Sequence, residues 1–281
     1  MFGIGEIGKR PLYHFTVLSG YDIKPIKEIE LTISCILDRN KGGVLLNWKE
    51  VSKTKDLSQV QKAAAELDVN ERDERGRTPL MLFLTNRMPV QAIEILIKHG
   101  AELEAQDKLG DTPLKKAVKF KQIEALLTLI EAGAKLDSPL GILATAWNAA
   151  RADKKFADLL LETKGAVRLS LTQEEQRGVE EVLYEESQKK MCDKIERINS
   201  PELLHAIVNE YNWDDGPEPM LSVFHNPVTP EITLLDMYEL LDGDYWMEKS
   251  NSDDLLNTEE EKRFKELAVA LNERLKGTAV E

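Results

Sequence analysis

The sequence predicts an all-α chain in two parts, a stacked helical array followed by a small acidic helical domain. Three observations carry this. A phrase, Gly76-Arg77-Thr78-Pro79-Leu80, returns 34 residues later as Gly110-Asp111-Thr112-Pro113-Leu114. Apolar residues recur at helical spacing behind recognisable caps in both halves. The charge is also uneven. The chain carries −13 overall, yet residues 199–261 hold sixteen acids and a single base, Lys249, so the remainder is near neutral.

At the N-terminus, Gly8-Lys9-Arg10-Pro11-Leu12 repeats the phrase with Arg in place of Thr, two periods before Gly76. A fixed period of this length marks stacked repeats. Ile26, Ile29, Ile33 and Leu37 read as one longer helix. Residues 1–41 are therefore expected to form an N-terminal capping repeat, and 42–167 the array.

Each clear unit has a physical logic. Gly76 and Gly110 permit positive φ in a tight turn. Thr78 and Thr112 can cap the next helix with their hydroxyls. Pro79 and Pro113 sit at the first helical position, where a missing N–H costs nothing. Leu80, Phe83 and Leu84, and then Leu114, Ala117 and Val118, begin the buried stripe. A second helix follows with Ile93, Leu96 and Ile97, and in the next unit with Ile123, Leu126, Leu127 and Ile130. Gly100-Ala101 and Gly133-Ala134 close these helices. Glu66-Leu67-Asp68-Val69-Asn70 reads as an earlier finger without its Gly-Ala. Gly165-Ala166, behind an apolar Phe156–Leu161 helix, reads as a last degenerate unit.

Turn, Thr-Pro-Leu, short helix, second helix, Gly-Ala and extended finger together resemble ankyrin repeats. That resemblance implies a protein-binding surface made of fingertips and first helices. Here these are Arg72, Glu74, Arg75 and Arg77 at one tip and Gln106, Lys108, Leu109 and Asp111 at the next. Lys115, Lys116, Lys119 and Lys121 lie on or just after the following first helix. The plain alternative for the Lys run is a solvated helix face. The family usually places His after Pro-Leu, where it links adjacent units; this chain has Tyr13, Met81 and Lys115. Stacking is therefore expected to rest on apolar faces.

The second part, 168–281, is expected to be an acidic helical domain. Thr172-Gln173-Glu174-Glu175 is a capping box, opening a helix to about Ile198. Ser200-Pro201 opens the next by the Ser-cap, Pro-first rule. Tyr211-Asn212-Trp213-Asp214-Asp215-Gly216-Pro217 is a break. Thr229-Pro230 opens a helix ending at Gly243. Thr258-Glu259-Glu260-Glu261 is a second capping box, and Phe264, Leu267, Ala268, Leu271 and Leu275 run from it to a stop at Gly277.

Over residues 200–248 the Tyr-Asn-Trp-Asp-Asp-Gly turn, with Thr233-Leu234-Leu235 and Asp242-Gly243, resembles an uncharacterised bacterial domain family. That resemblance supplies a boundary and a bacterial origin rather than an activity. Joined to ankyrin-like units, the chain also resembles immunity proteins of polymorphic toxin systems. The resemblance implies a cytoplasmic protein that occludes a basic surface of a cognate toxin. The contacts would be Trp213, Asp214, Asp215, Asp242, Asp244, Tyr245 and Trp246 on the acidic domain, and Arg72, Glu74, Arg75, Gln106, Lys108, Lys116 and Lys119 on the array.

Several classes are disfavoured. An acidic segment lacks the basic footprint that phosphate binding needs, so no nucleic acid is expected as partner. No apolar run approaches ~20 residues, and Met1-Phe2-Gly3-Ile4-Gly5-Glu6 lacks a basic stretch followed by an apolar core, so neither membrane span nor signal peptide is expected. Cys35 and Cys192 form no disulfide framework or metal knuckle. There is no phosphate loop, dinucleotide fingerprint or paired-His motif, so no cofactor, no resident metal and no catalysis are expected. Two alternatives stay open: a scaffold or regulatory adaptor for a host protein, and a metal-dependent hydrolase in which Asp214 and Asp215 join Asp242 or Asp244 around a cation. Against the second, two acids before Gly-Pro read as an Asx-type turn capping the following helix.

Overall fold

The computed structural model describes residues 46–249 and 258–278. The capping repeat at 1–41, with its phrase at Gly8–Leu12, lies outside the described residues, as do Tyr13, Cys35, Gly42, Asp253 and Asp254. The regular structure among the described residues is helical throughout.

The array is a two-layer stack. Its inner layer holds α1 (Trp48–Thr54), α3 (Pro79–Thr85), α5 (Pro113–Lys119) and α7 (Ala146–Ala150). Its outer layer holds α2 (Leu57–Glu66), α4 (Val90–Lys98) and α6 (Ile123–Glu131). Each inner helix packs on the next inner helix, and each outer on the next outer. The Thr caps form as expected: Thr78 accepts from the Met81 N–H and Thr112 from the Lys115 N–H. Thr145, one period on, does the same for Asn148. Trp147 thereby takes the place of Leu80 and Leu114 and is fully buried. This unit is easily missed in sequence because Ala146 stands where Pro is diagnostic. Short helices α8 (Lys154–Ala157) and Asp158–Leu160 end the array.

Stacking does not rest on apolar faces alone, contrary to the expectation drawn from the missing His. The Asn70 amide donates to the Gly100 carbonyl and accepts from the Glu102 N–H, both one repeat away. Glu104 accepts from the Lys135 N–H at 2.7 Å and Asp137 from the Lys164 N–H at 2.7 Å. Gln122 donates to the Leu84 carbonyl, and Asn86 to the Ser52 hydroxyl. Polar residues at the outer ends of the fingers have taken over the linking that a first-helix His would supply.

The C-terminal part contains α9 (Gln173–Leu183), α10 (Gln188–Ile195), α11 (Pro201–Glu210), α12 (Glu218–His225), α13 (Glu231–Leu240), α14 (Gly243–Glu248) and α15 (Glu259–Thr278). Its core gathers Val179, Ile195, Leu204, Ile207, Met220, Val223, Met237, Leu267 and Leu271, all within this part. Both capping boxes form: Thr172 with Glu175, and Thr258 with Glu261. Ser200 caps α11.

Four boundaries differ from the sequence reading. The helix expected over 173–198 is two, because Ser187 accepts from the Lys190 N–H and starts α10 afresh. Thr229 does not cap α13; its hydroxyl is buried and donates back to the Val223 carbonyl. Gly243 does not end α13 but begins α14, where the Tyr238 ring lies so close that an added Cβ would sit 2.4 Å from it. The last helix also runs one residue past Gly277.

Candidate functional site

The first candidate surface is the run of fingertips. Asp73 accepts from the Arg75 and Arg77 N–H groups, and Asp107 from those of Leu109 and Asp111, so each tip is an Asp-anchored turn closed by Gly76 or Gly110 at positive φ. Neighbouring tips bond to each other: the Lys108 N–H donates to the Arg75 carbonyl at 3.0 Å. The Arg72 guanidinium donates to the Gln106 carbonyl at 2.7 Å and lies 3.7 Å from Glu102. Arg72 is thus partly engaged within the array. Glu74, Arg75, Gln106 and Lys108 are exposed, and Leu109 at the second tip is 82% exposed.

Lys116 does not belong to this surface. Its ammonium is buried, 2.6 Å from Asp107 and 2.8 Å from Asp111. Lys119, half exposed, reaches Asp111 from outside at 2.5 Å. Burial opposes these charges, but the ion pairs and backbone donors prevail: both carboxyls are held below their ordinary range and the Lys116 ammonium above its own. The Lys run read as a surface patch is therefore split. Lys116 knits a fingertip to the first helix of its own unit, and helix periodicity alone could not reveal this because both aspartates lie in the preceding turn.

The second candidate surface is the acidic face of the C-terminal part. Asp214, Asp215, Asp242 and Asp244 are all exposed. The Tyr211–Gly216 break is a short 3-10 turn, Trp213–Asp215, in which the Asn212 side chain accepts from the Asp214 N–H. An Asx turn is present, then, but Asn212 makes it, and α12 has no side-chain cap. The Tyr211 hydroxyl pins the turn by donating to the Gly216 carbonyl at 2.7 Å. Burial and the nearby carboxylates Asp215, Glu218 and Glu260 push that phenol well above its ordinary range. Trp213 is half-buried, edge-on to Tyr211, and its indole N–H has no partner.

The remaining aromatics face a different neighbour. Trp246 stacks on Phe264 and lies under the Lys249 ammonium, 4.8 Å from its ring centre. Tyr245 is exposed beside it. Asp244 accepts from the Tyr238 hydroxyl, and that contact, after burial, raises the phenol to about 12. Among the described residues no three His, Cys, Asp or Glu side chains are grouped to hold a cation. The grouping of the hydrolase alternative, Asp214 and Asp215 with Asp242 or Asp244, is therefore not assembled among the described residues.

A third locus was not legible in the sequence. His205 on α11 and Asp236 and Thr233 on α13 are buried together where the two parts meet. Arg151, from the loop after α7, donates to both oxygens of Asp236, one at 2.9 Å. The ring of Trp147 backs the guanidinium at 5.5 Å. His205 Nδ1 lies 3.0 Å from the Thr233 hydroxyl, and its Nε2 lies 3.7 Å from Asp236. Such an acid, histidine and hydroxyl could suggest nucleophilic catalysis. Thr233 is wholly buried, however, so its hydroxyl meets no substrate. Beside the cluster, Arg151, Lys154, Arg168, Glu202, His205 and Asn209 line a cleft of about 430 Å³. The one hint in sequence was Asp236 directly between Leu235 and Met237, a position that suggests a buried carboxylate without naming its partner.

Comparison with known families gives two matches, one in each helical part. Residues 50–139 match ankyrin repeats, described as three copies. Residues 199–276 match a domain of unknown function, DUF4274. The chain thus carries ankyrin repeats followed by a C-terminal DUF4274 domain, and the latter match extends through α15, beyond the stretch 200–248 singled out by its motif. Ankyrin repeats mark a protein–protein interaction module. No described helix is long and apolar enough to cross a membrane.

Proposed function

We propose that this chain acts by binding another protein rather than by catalysis, and that it is an immunity protein covering a basic surface on a cognate bacterial toxin. The observation that carries this reading is the exposed acidic set Asp214, Asp215, Asp242 and Asp244 on a domain joined to an ankyrin platform. Complementary charge steers association and selects among partners. The array supplies a second, nearly neutral surface through Glu74, Arg75, Gln106 and Lys108. Occlusion of a basic cleft, such as that of a nuclease, needs no chemistry from the inhibitor.

The test is co-expression with the protein encoded immediately upstream, followed by affinity capture at low salt and a growth assay. Association that weakens with salt, together with protection of cells expressing that neighbour, is expected. Charge reversal by Asp214→Lys with Asp215→Lys should slow association. No association and no protection would overturn the toxin reading, and a stable complex with a resident housekeeping protein would favour an adaptor instead.

A further inference from the structure

The two parts of the chain meet through side chains. Extensive helix packing stays within each part: α1 to α8 pack on one another, as do α9 to α15. The C-terminal domain has its own core. The Arg151–Asp236 ion pair crosses the junction, with His205 beside it, and a second cleft between the parts is lined by Ile142, Leu143 and Thr145 on the array side and Glu231, Leu235 and Leu275 on the domain side. We propose that His205, Arg151 and Asp236 form an acid-sensitive latch that holds the C-terminal domain against the last repeat and releases it in mild acid. This stands independently of the toxin reading.

The hydrogen bonds define the protonation state. His205 Nε2 faces two donors, Arg151 Nη2 at 3.5 Å and Asn209 Nδ2 at 3.4 Å. Arg151 cannot accept, so the contacts are met by a bare Nε2 with the proton on Nδ1, toward Thr233. A second proton would place an N–H against two N–H groups and set two cations in contact. Asp236 could receive it, but both its oxygens are already engaged by Arg151, and one also by Asn209. The ring is also only 5% exposed, so water cannot stabilise the added charge.

Arg168, Glu202 and Glu210 share the cleft with His205, but the charged groups that act most on the ring are three. Asp236 lies on α13; Arg151 and Lys154 come from the last repeat. Helices α9 and α12 meet α11 through the apolar Val179, Val182, Met220 and Val223. Burial, then the two cations, outweigh Asp236 and lower the imidazole from 6.5 to about 4. Opening exposes the ring and restores its ordinary value. The closed form thus binds fewer protons than the open one between these values. The closed-to-open ratio should be full above about pH 6.5 and fall about tenfold per pH unit below it, down to about pH 4.

The linker, which lines the same cleft through Arg168 and Leu169, is built to survive that change. The linker is tethered on the array side by Asp158, which accepts from the Leu169 and Ser170 N–H groups. On the domain side Arg168 pairs with both oxygens of Glu175, whose carboxyl is held at about 2, chiefly by that contact. Glu175 therefore stays ionised while His205 titrates. The linker acts as a hinge and the histidine cluster as its catch.

The experiment uses the full chain with Cys35→Ser and Cys192→Ser, spin-labelled at Glu131→Cys on the array and Asp193→Cys on the domain. Distances are measured from about pH 7.5 to about pH 4.5, across the imidazole range. A narrow distribution at the upper end should broaden as pH falls, with helical circular dichroism retained. His205→Gln should stay narrow throughout. Arg151→Met removes the array's half of the catch, so its distribution should be broad already at the upper end and change little as pH falls. An unchanged wild-type distribution, broadening in His205→Gln over the same range, or loss of helix in step with broadening would each overturn the latch.

Discussion

Replacing Lys116 with Met tests whether this lysine is part of the core or part of a binding surface. The methionine keeps most of the stem's volume and removes the ammonium that lies 2.6 Å from Asp107 and 2.8 Å from Asp111. Breaking a buried ion pair by removing one partner costs about 3–5 kcal/mol. Two features lower that figure here. Asp107 retains the Leu109 and Asp111 N–H donors, and Asp111 retains Lys119. The expected loss is therefore about 2–3 kcal/mol, against under about 1 kcal/mol for Lys119→Met, which removes a half-exposed partner. Urea unfolding followed by tryptophan fluorescence measures it, in a background with Trp213→Phe and Trp246→Phe so that Trp48 and Trp147 report the array. The pH dependence has a definite sign. The aspartates are depressed from 3.8 and the lysine is raised from 10.5. The cluster's stabilisation is present between these values, is lost below about pH 4 as the carboxyls protonate, and is lost again as the pH rises through the elevated lysine value. A Lys116→Met loss below about 0.5 kcal/mol, or one no larger than for Lys119→Met, would refute the burial argument.

Two further substitutions probe the C-terminal domain. Gly243→Ala drives a methyl into the Tyr238 ring at 2.4 Å, so thermal melting should show a loss of about 1–3 kcal/mol, and the same substitution should cost much less in a Tyr238→Ala background. Asn226→Ala removes an amide that donates to the Ile195 and Ile198 carbonyls and accepts from the Val228 N–H, so about 2–3 kcal/mol should be lost in chemical denaturation, with Asn226→Asp no better because it can donate to neither carbonyl.

The repeat architecture was legible because its signals are local. Thr-Pro-Leu sets a cap, a first helical residue and the start of a buried stripe within a few positions, so the phrase alone locates a helix. Where Thr145-Ala146-Trp147 kept the cap and the buried residue but lost the proline, the first helix of the last degenerate unit went unread and yet folded alike, because the Thr145 hydroxyl still finds the Asn148 N–H. The helix over 173–198 was over-extended for the converse reason. Its apolar members resume at Met191 and Ile195 with helical phase kept, while the chain breaks at the Tyr184 cap and restarts at Ser187.

The sequence by itself determined the all-α class, the stacked repeats, both capping boxes and the acidic character of the second part, since each depends on neighbours within one turn or one period. Tertiary structure alone decided that Lys116 is internal, that polar side chains rather than a first-helix His link the repeats, and that His205, Arg151 and Asp236 meet. Those three residues come from the end of the array, from α11 and from α13, and their chemistry depends on burial that neither part creates alone. Charge composition announces an exposed acidic surface, whereas a buried histidine beside both a cation and a carboxylate is present only where the two parts are docked.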